Sequence, residues 1–239
     1  MRFNLKKAFI IISIFAVIFF SLLNGWSAGI FSTGIGIGAS GDTGGLDSTV
    51  SFINSEMRKF QIANPGTSIT EMEALYSPVI ALNFSYIYNY SIFKAGWEYS
   101  GNYFFKRSGS LGDNDIEISY SRFTFPVSAG LLIPYDRKNR FYFAGGINYT
   151  YAEMGIKQSD PDPAWILPDK KYTFAGDILG FHVKAGGEVL LSRNYTFLFE
   201  VTRFFGKEDK VESEEENARF PLRLNTFQFT AGINYTVDI

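Results

Sequence analysis

The run Phe141-Tyr-Phe-Ala-Gly-Gly-Ile-Asn-Tyr-Thr-Tyr151 alternates with a period of two, and seven other segments follow the same grammar. Its odd positions hold Phe141, Phe143, Ile147, Tyr149 and Tyr151. Its even positions hold Ala144, Gly146, Asn148 and Thr150, with Tyr142 the one large exception. Successive side chains of a strand point to opposite faces, so one face is large and apolar and the other small and polar. A helix would need a period near 3.6 and would scatter these residues round its circumference.

The eight segments are about 29–39, 78–88, 91–105, 116–133, 140–153, 175–191, 195–205 and 222–237. In the second, Ile80, Leu82, Phe84, Tyr86 and Tyr88 oppose Ala81, Asn83 and Ser85. In the fourth, Phe123, Phe125 and Val127 oppose Arg122, Thr124 and Ser128, but Ile116, Ile118 and Tyr120 fall on the opposite parity. This predicts a bulge near 120–122, or a strand end beyond the membrane, and Pro126 supports a local irregularity. The phrase Gly146-Ile-Asn-Tyr-Thr150 returns as Gly232-Ile-Asn-Tyr-Thr236, one local solution used twice.

The links alternate in length. Asn89-Tyr90, 134–139 and 192–194 are short, whereas 40–77, 106–115, 154–174 and 206–221 are long. Short turns at one end and long loops at the other are the mark of an antiparallel barrel threaded from one side of a membrane. Within the first long link, Ser48 to Ile62 reads as a short amphipathic helix or as irregular coil.

Residues 1–28 read as a signal peptide. Arg2, Lys6 and Lys7 precede the apolar run Ala8 to Leu23, and Gly25, Ser27 and Ala28 are small enough for cleavage. That run is short of the roughly 20 apolar residues of a spanning helix. Residues 29–239 then form one domain. Phe 25 and Tyr 14 make an aromatic share of 18%, more than a soluble core uses, which suits lipid contact and interfacial belts. With no other long apolar stretch, closed β-structure is the remaining way to span. Cys 0 excludes a disulfide framework and a lipid-attached cysteine, and a net charge of −2 gives no reason to expect nucleic acid. The fold-level rival, a soluble lipocalin-like barrel, would place the large residues inside and the charges outside.

The phrases Phe123-Thr-Phe-Pro-Val-Ser-Ala-Gly-Leu-Leu132 and Phe141-Tyr-Phe-Ala-Gly-Gly-Ile-Asn-Tyr149 resemble the small eight-stranded outer-membrane barrel family of the OmpA membrane domain, OmpX and OmpW. The resemblance covers the chain beyond residue 28. It implies an all-β, eight-stranded antiparallel transmembrane barrel with short periplasmic turns and long extracellular loops. It also implies localisation in a bacterial outer membrane, contact with outer-membrane lipid, and help from periplasmic chaperones and the barrel-assembly machinery. Members often end in phenylalanine; this chain ends in Tyr235, Val237 and Ile239.

The polar face carries Lys94, Glu98, Arg122, His182, Lys184, Glu188 and Glu200. Inside an eight-stranded barrel such charges must pair or meet water, which predicts an ionic network filling the lumen, or alternatively a narrow porin-like channel for small solutes. His182 is the only histidine and so the first candidate for a general base. Barrel deacylases place a serine two residues after their histidine, and His182-Val183-Lys184 lacks it, so an envelope-lipid enzyme is the weaker reading. No cofactor and no metal is expected. Lys207 to Arg219 is an acidic solvated loop without the ligand spacing of a calcium loop. Asp160-Pro-Asp-Pro163 with Trp165 and Ile166 reads as a rigid turn, either a contact surface for an extracellular ligand or packed on its neighbours. The expected product is a non-enzymatic, monomeric envelope protein with a structural or surface-interaction role.

Overall fold

A computed structural model describes residues 29–41, 46–73, 77–88, 93–135, 139–159, 171–212 and 219–238. The expected signal peptide, the Asn89-Tyr90 turn, the Asp160–Pro163 motif with Trp165 and Ile166, and Glu214 to Glu216 lie outside the described residues. The strands are β1 (Gly29–Ser40), β2 (Ile69–Thr70), β3 (Ser77–Tyr88), β4 (Phe93–Leu111), β5 (Asn114–Pro134), β6 (Asn139–Gln158), β7 (Lys171–Ser192), β8 (Tyr195–Glu212) and β9 (Arg219–Asp238). One helix, α1 (Leu46–Ala63), follows β1. All nine strands join one antiparallel sheet in the order β2-β4-β3-β1-β9-β8-β7-β6-β5, and β5 pairs in turn with β4. The eight long strands are those the alternation predicts. The two-residue β2 is an addition, Ile69 and Thr70 lying against Leu111 and Ser110.

The sheet curls on itself. The Arg122 guanidinium of β5 donates to Ser40 Oγ of β1 at 3.2 Å and Gln228 Oε1 of β9 at 3.3 Å, and neither strand is its ladder neighbour. One face is thereby enclosed, and the other carries large apolar residues such as Phe143, Ile147, Leu179, Phe181, Phe229 and Ile233, all exposed.

Two expectations are corrected. First, β5 carries no bulge of its own, so that reading of its parity break falls: Asn114, Ile116, Ile118, Tyr120, Arg122 and Thr124 are all buried in unbroken alternation. The bulge lies across the ladder in β4, where Tyr103 and Phe104 oppose Ser121 alone, between Asn102↔Arg122 and Phe105↔Tyr120. The β4–β5 ladder also lacks the pairs opposite Phe125 and Pro126, as expected where proline has no N–H to give. Second, three of the four long links are shorter than expected because the strands run on. β4 and β5 are joined by Gly112 and Asp113 alone, with Gly112 at φ 59, a backbone region that glycine enters without strain. β6 continues to Gln158 and β8 to Glu212. In β5 and β6 the extensions read as loop because their outward residues are polar, yet their inward residues bury apolar surface.

What they bury against is α1. Val50, Ile53, Met57 and Phe60 recur at helical spacing on one face. They pack in a single cluster with Met72, Leu111, Ile116, Ile118, Tyr120, Met154, Ile156, Phe174, Ile178 and Phe204. The helix stops where Pro65 and Gly66 (φ 106) follow it, and Asn64 N–H closes its last turn on Phe60 O at 2.9 Å. Asn54 ties the helix to the strand side, exchanging bonds with Met72 O (2.9 Å) and Met72 N–H (3.0 Å). The Arg58–Glu71 ion pair adds a second tie.

Candidate functional site

The enclosed face has two layers. Near the turns that join β5 to β6 and β7 to β8 it is polar. Glu200 of β8, buried, is bonded by Lys184 Nζ of β7 at 3.0 Å, by the Tyr142 hydroxyl of β6 at 2.5 Å and by Thr202 Oγ1 at 3.0 Å. Tyr142 reaches Glu200 across the intervening β7 because Gly186 stands between them, the ladder partner of both. A Cβ on Gly186 would lie 2.5 Å from the Tyr142 hydroxyl, so the bond exists only over a bare backbone. Glu188 is buried on the same strand, with Arg140 and Leu198 its partners in the two ladders.

A second group sits one layer outward. Arg122 is wholly buried, and besides Ser40 and Gln228 its guanidinium lies 5.7 Å from the Phe204 ring centroid. His182 is buried against the same ring, centroids 5.9 Å apart, and neither of its nitrogens makes a hydrogen bond among the described residues. Phe204 thus lies against both Arg122 and His182 and begins the apolar layer beyond them. Lys94 and Glu98 stand on β4 opposite Gly130 and Asn83; their side chains lie outside the described residues. The structure therefore joins Lys184 to Glu200 and groups Arg122 with His182 round Phe204.

Beyond these residues the enclosed face turns apolar, where the α1 cluster covers it. Two residues of this face were not singled out as site residues in the sequence. Gln228 has no distinguishing signal there. Tyr142 has one: it is the large residue that breaks the small-and-polar side of its own repeat.

On the outer face, aromatic rings gather at two levels. Tyr195 and Tyr235 meet edge-on at 5.4 Å and Tyr135 with Phe141 at 6.0 Å near the short turns. Phe125 and Tyr149 at 6.4 Å and the stacked Phe181 and Phe205 at 4.7 Å mark the other level. Tyr149 Oη donates to Asp177 Oδ1 at 2.6 Å there. Tyr86 and Tyr151 share the outward parity but are covered by their neighbours. Among the described residues no group of three potential ligands is placed to hold a metal ion, and no helix is long and apolar enough to cross a membrane.

The fold is similar to several solved structures. The outer membrane protein OprG from Pseudomonas aeruginosa matches with a TM-score of 0.46 and 12% identity, over 89% of this chain and 97% of that one. Outer membrane protein W of E. coli matches at 0.43 and 16%, over 89% and 99%. Neisserial surface protein A matches at 0.42 and 11%, over 87% and 98%. No family model matches the sequence, and no curated protein does.

Proposed function

We propose that this chain is an integral outer-membrane protein of a diderm bacterium, non-enzymatic, with a structural and surface-interaction role. Its eight long strands form a closed antiparallel barrel, β4 with β5 completing the ring. The observation that carries this is the separation of faces. Apolar side chains, Leu179 at 75% exposure among them, line the outside, while Arg122, Glu188 and Glu200 are enclosed. A soluble barrel has the opposite arrangement. The height agrees: ten steps from Tyr195 to Phe205, at about 3.3 Å each and a tilt near 40°, span roughly 25 Å, the height of a barrel's apolar band. Tyrosines and phenylalanines at both edges suit the two interfaces. The short links after β3, β5 and β7 leave from the same end as the start of β1 and the end of β9, which is the periplasmic end; α1 and the strand extensions stand outside.

Helix α1 fills the outer end of the lumen with apolar side chains, and the Lys184–Glu200–Tyr142 group lies across the inner half. This supports a corked barrel over a through-channel. His182 lies inside, against Phe204, away from any lipid on the outer face, which argues against an envelope-lipid enzyme. The test has two parts. Refolded protein should need detergent or lipid to stay in solution and should migrate faster on a gel unboiled than boiled. In planar bilayers it should give no steady conductance; a stable open channel would overturn the corked reading and a water-soluble monomer the membrane reading.

A further inference from the structure

Among the described residues the outer face bears one cation at the edge of its apolar band. Arg203 of β8 faces outward between Val201 and Phe205, with Phe227 as its β9 partner. Arginine on a lipid-facing wall is unfavourable in proportion to its depth, and it becomes tolerable only toward an interface. Arg203 is at that border. Its guanidinium lies 4.2 Å from the Phe227 ring centroid and 5.5 Å from that of Phe205, and it donates to Asn225 Oδ1, one rung farther out, at 2.6 Å. The two rings fix the plane of the fork and Asn225 uses one of its five donors. On the same two strands the ladder continues through Gly206↔Leu224 to Lys207↔Arg223. The β6–β7 wall carries Tyr149 and Asp177 at its outer edge instead.

We infer that Arg203 forms a site for the phosphate of an outer-leaflet lipid. A planar guanidinium with free donors matches a phosphate better than any neutral headgroup. The apolar surface below it, Val201, Phe227 and Phe229, continues the wall along which the acyl chains of the same molecule would lie. The inference rests on the membrane reading above.

The test is to refold the protein into phosphatidylcholine vesicles carrying a minor fraction of bisphosphorylated lipid A, or of the same lipid dephosphorylated. The lipid A retained per barrel is then counted after extraction in mild detergent. The protein should retain the phosphorylated form over the dephosphorylated one. Arg203→Gln should lower that retention about tenfold, the loss of one charged hydrogen-bonding partner. Lys157→Gln, on the exposed outer extension of β6, should retain as much as the unaltered protein. Equal retention by Arg203→Gln, or no preference for phosphate, overturns the site while leaving the barrel reading intact. If Arg203→Gln does not insert, Arg203→Lys, which keeps the charge but loses the planar fork, is held to the same criterion. Failure of the unaltered protein to insert and shift its gel mobility overturns the membrane reading and the site with it.

Discussion

The bond between Tyr142 and Glu200 depends on a glycine, and this makes a sharp prediction about a residue with no side chain. Gly186→Ala would put a methyl group 2.5 Å from the Tyr142 hydroxyl and 2.6 Å from Phe199 O on the adjacent backbone. Both are closer than a carbon is accepted, so Tyr142 must leave or the strands must part. Loss of the hydroxyl from a buried carboxylate costs about 1.5–3 kcal/mol, since the bond is to a charged group. Overpacking adds about 1–3 kcal/mol, and the stiffer unfolded chain of alanine returns roughly 0.5–1 kcal/mol. The expected destabilisation is therefore roughly 2–5 kcal/mol. Tyr142→Phe removes the hydroxyl alone and should cost about 1.5–3 kcal/mol, because Glu200 keeps Lys184 and Thr202. If both changes act on one bond, that bond is lost only once. The double variant should then be no more than about 1 kcal/mol worse than Gly186→Ala, with a coupling of roughly 1.5–3 kcal/mol. Urea unfolding of the refolded barrel, followed by tryptophan fluorescence and gel mobility, measures all four species. Additivity within about 0.5 kcal/mol would refute the account, because Gly186 would then matter only to the backbone.

Other expectations follow from the same packing. Arg122→Glu should lower the melting temperature far more than Lys59→Glu on the exposed face of α1, since it places a carboxylate among Ser40, Gln228 and Phe204; equal melting temperatures would remove the structural role of Arg122. Met57→Ala empties a fully buried position between α1 and the strand extensions and should cost about 2–5 kcal/mol of helix docking, read as faster proteolysis within residues 46–63 in a barrel that still shifts on gels. Arg58, by its hydrogen bond first, holds the Glu71 carboxyl below its ordinary value of 4.5. A lowered carboxyl stabilises the fold above its unfolded value and ceases to as pH falls through the folded one. Docking of α1 should therefore be flat above pH 4.5 and loosen only below it, weakly because the pair is exposed; Glu71→Gln should abolish that acid step in hydrogen exchange.

Much of this was readable from the residues. The long strands, and the outward face of those whose side chains are described, followed from alternation, because large apolar and small polar residues do not share a side of a sheet whose two faces meet different surroundings. Contacts across the axis were not readable: the reach of Tyr142 over Gly186 to Glu200 joins strands that are not ladder neighbours, and no spacing within one strand encodes it. The 106–115 link misled because Gly112-Asp113 is a sufficient two-residue turn, and polar outward residues on either side gave no apolar signal of a continuing strand. The helix at Ser48 to Ile62 remained open between helix and coil because its apolar stripe has meaning only once there is a concave surface to receive it.

The apparent register break in β5 has a larger physical content. Without any shift in the strand, Phe123, Phe125 and Val127 are the large apolar residues on the outward side, while farther out Ile116, Ile118 and Tyr120 are the large apolar residues on the inward side, with Glu117 and Ser119 facing out. The same inversion occurs in β6, from Phe143 and Ile147 outward to Met154 and Ile156 inward with Glu153 and Lys157 exposed. It occurs again in β7, where Leu179 is outward, Ile178 and Phe174 are inward and Asp177 is exposed. A strand keeps its geometry but changes surroundings: on the membrane reading proposed above, hydrocarbon would lie outside and polar groups inside below the inversion, and water outside and α1 inside above it. A break in hydrophobic parity along one strand thus has two physical origins, a bulge or a change of solvent. Several adjacent strands inverting at neighbouring levels distinguishes the second, because a bulge has no reason to recur from strand to strand. On the same membrane reading, the outer surface of the membrane would pass near Tyr120–Phe123, Tyr151–Met154 and Ile178–Leu179, with Arg203 close to the same level on β8.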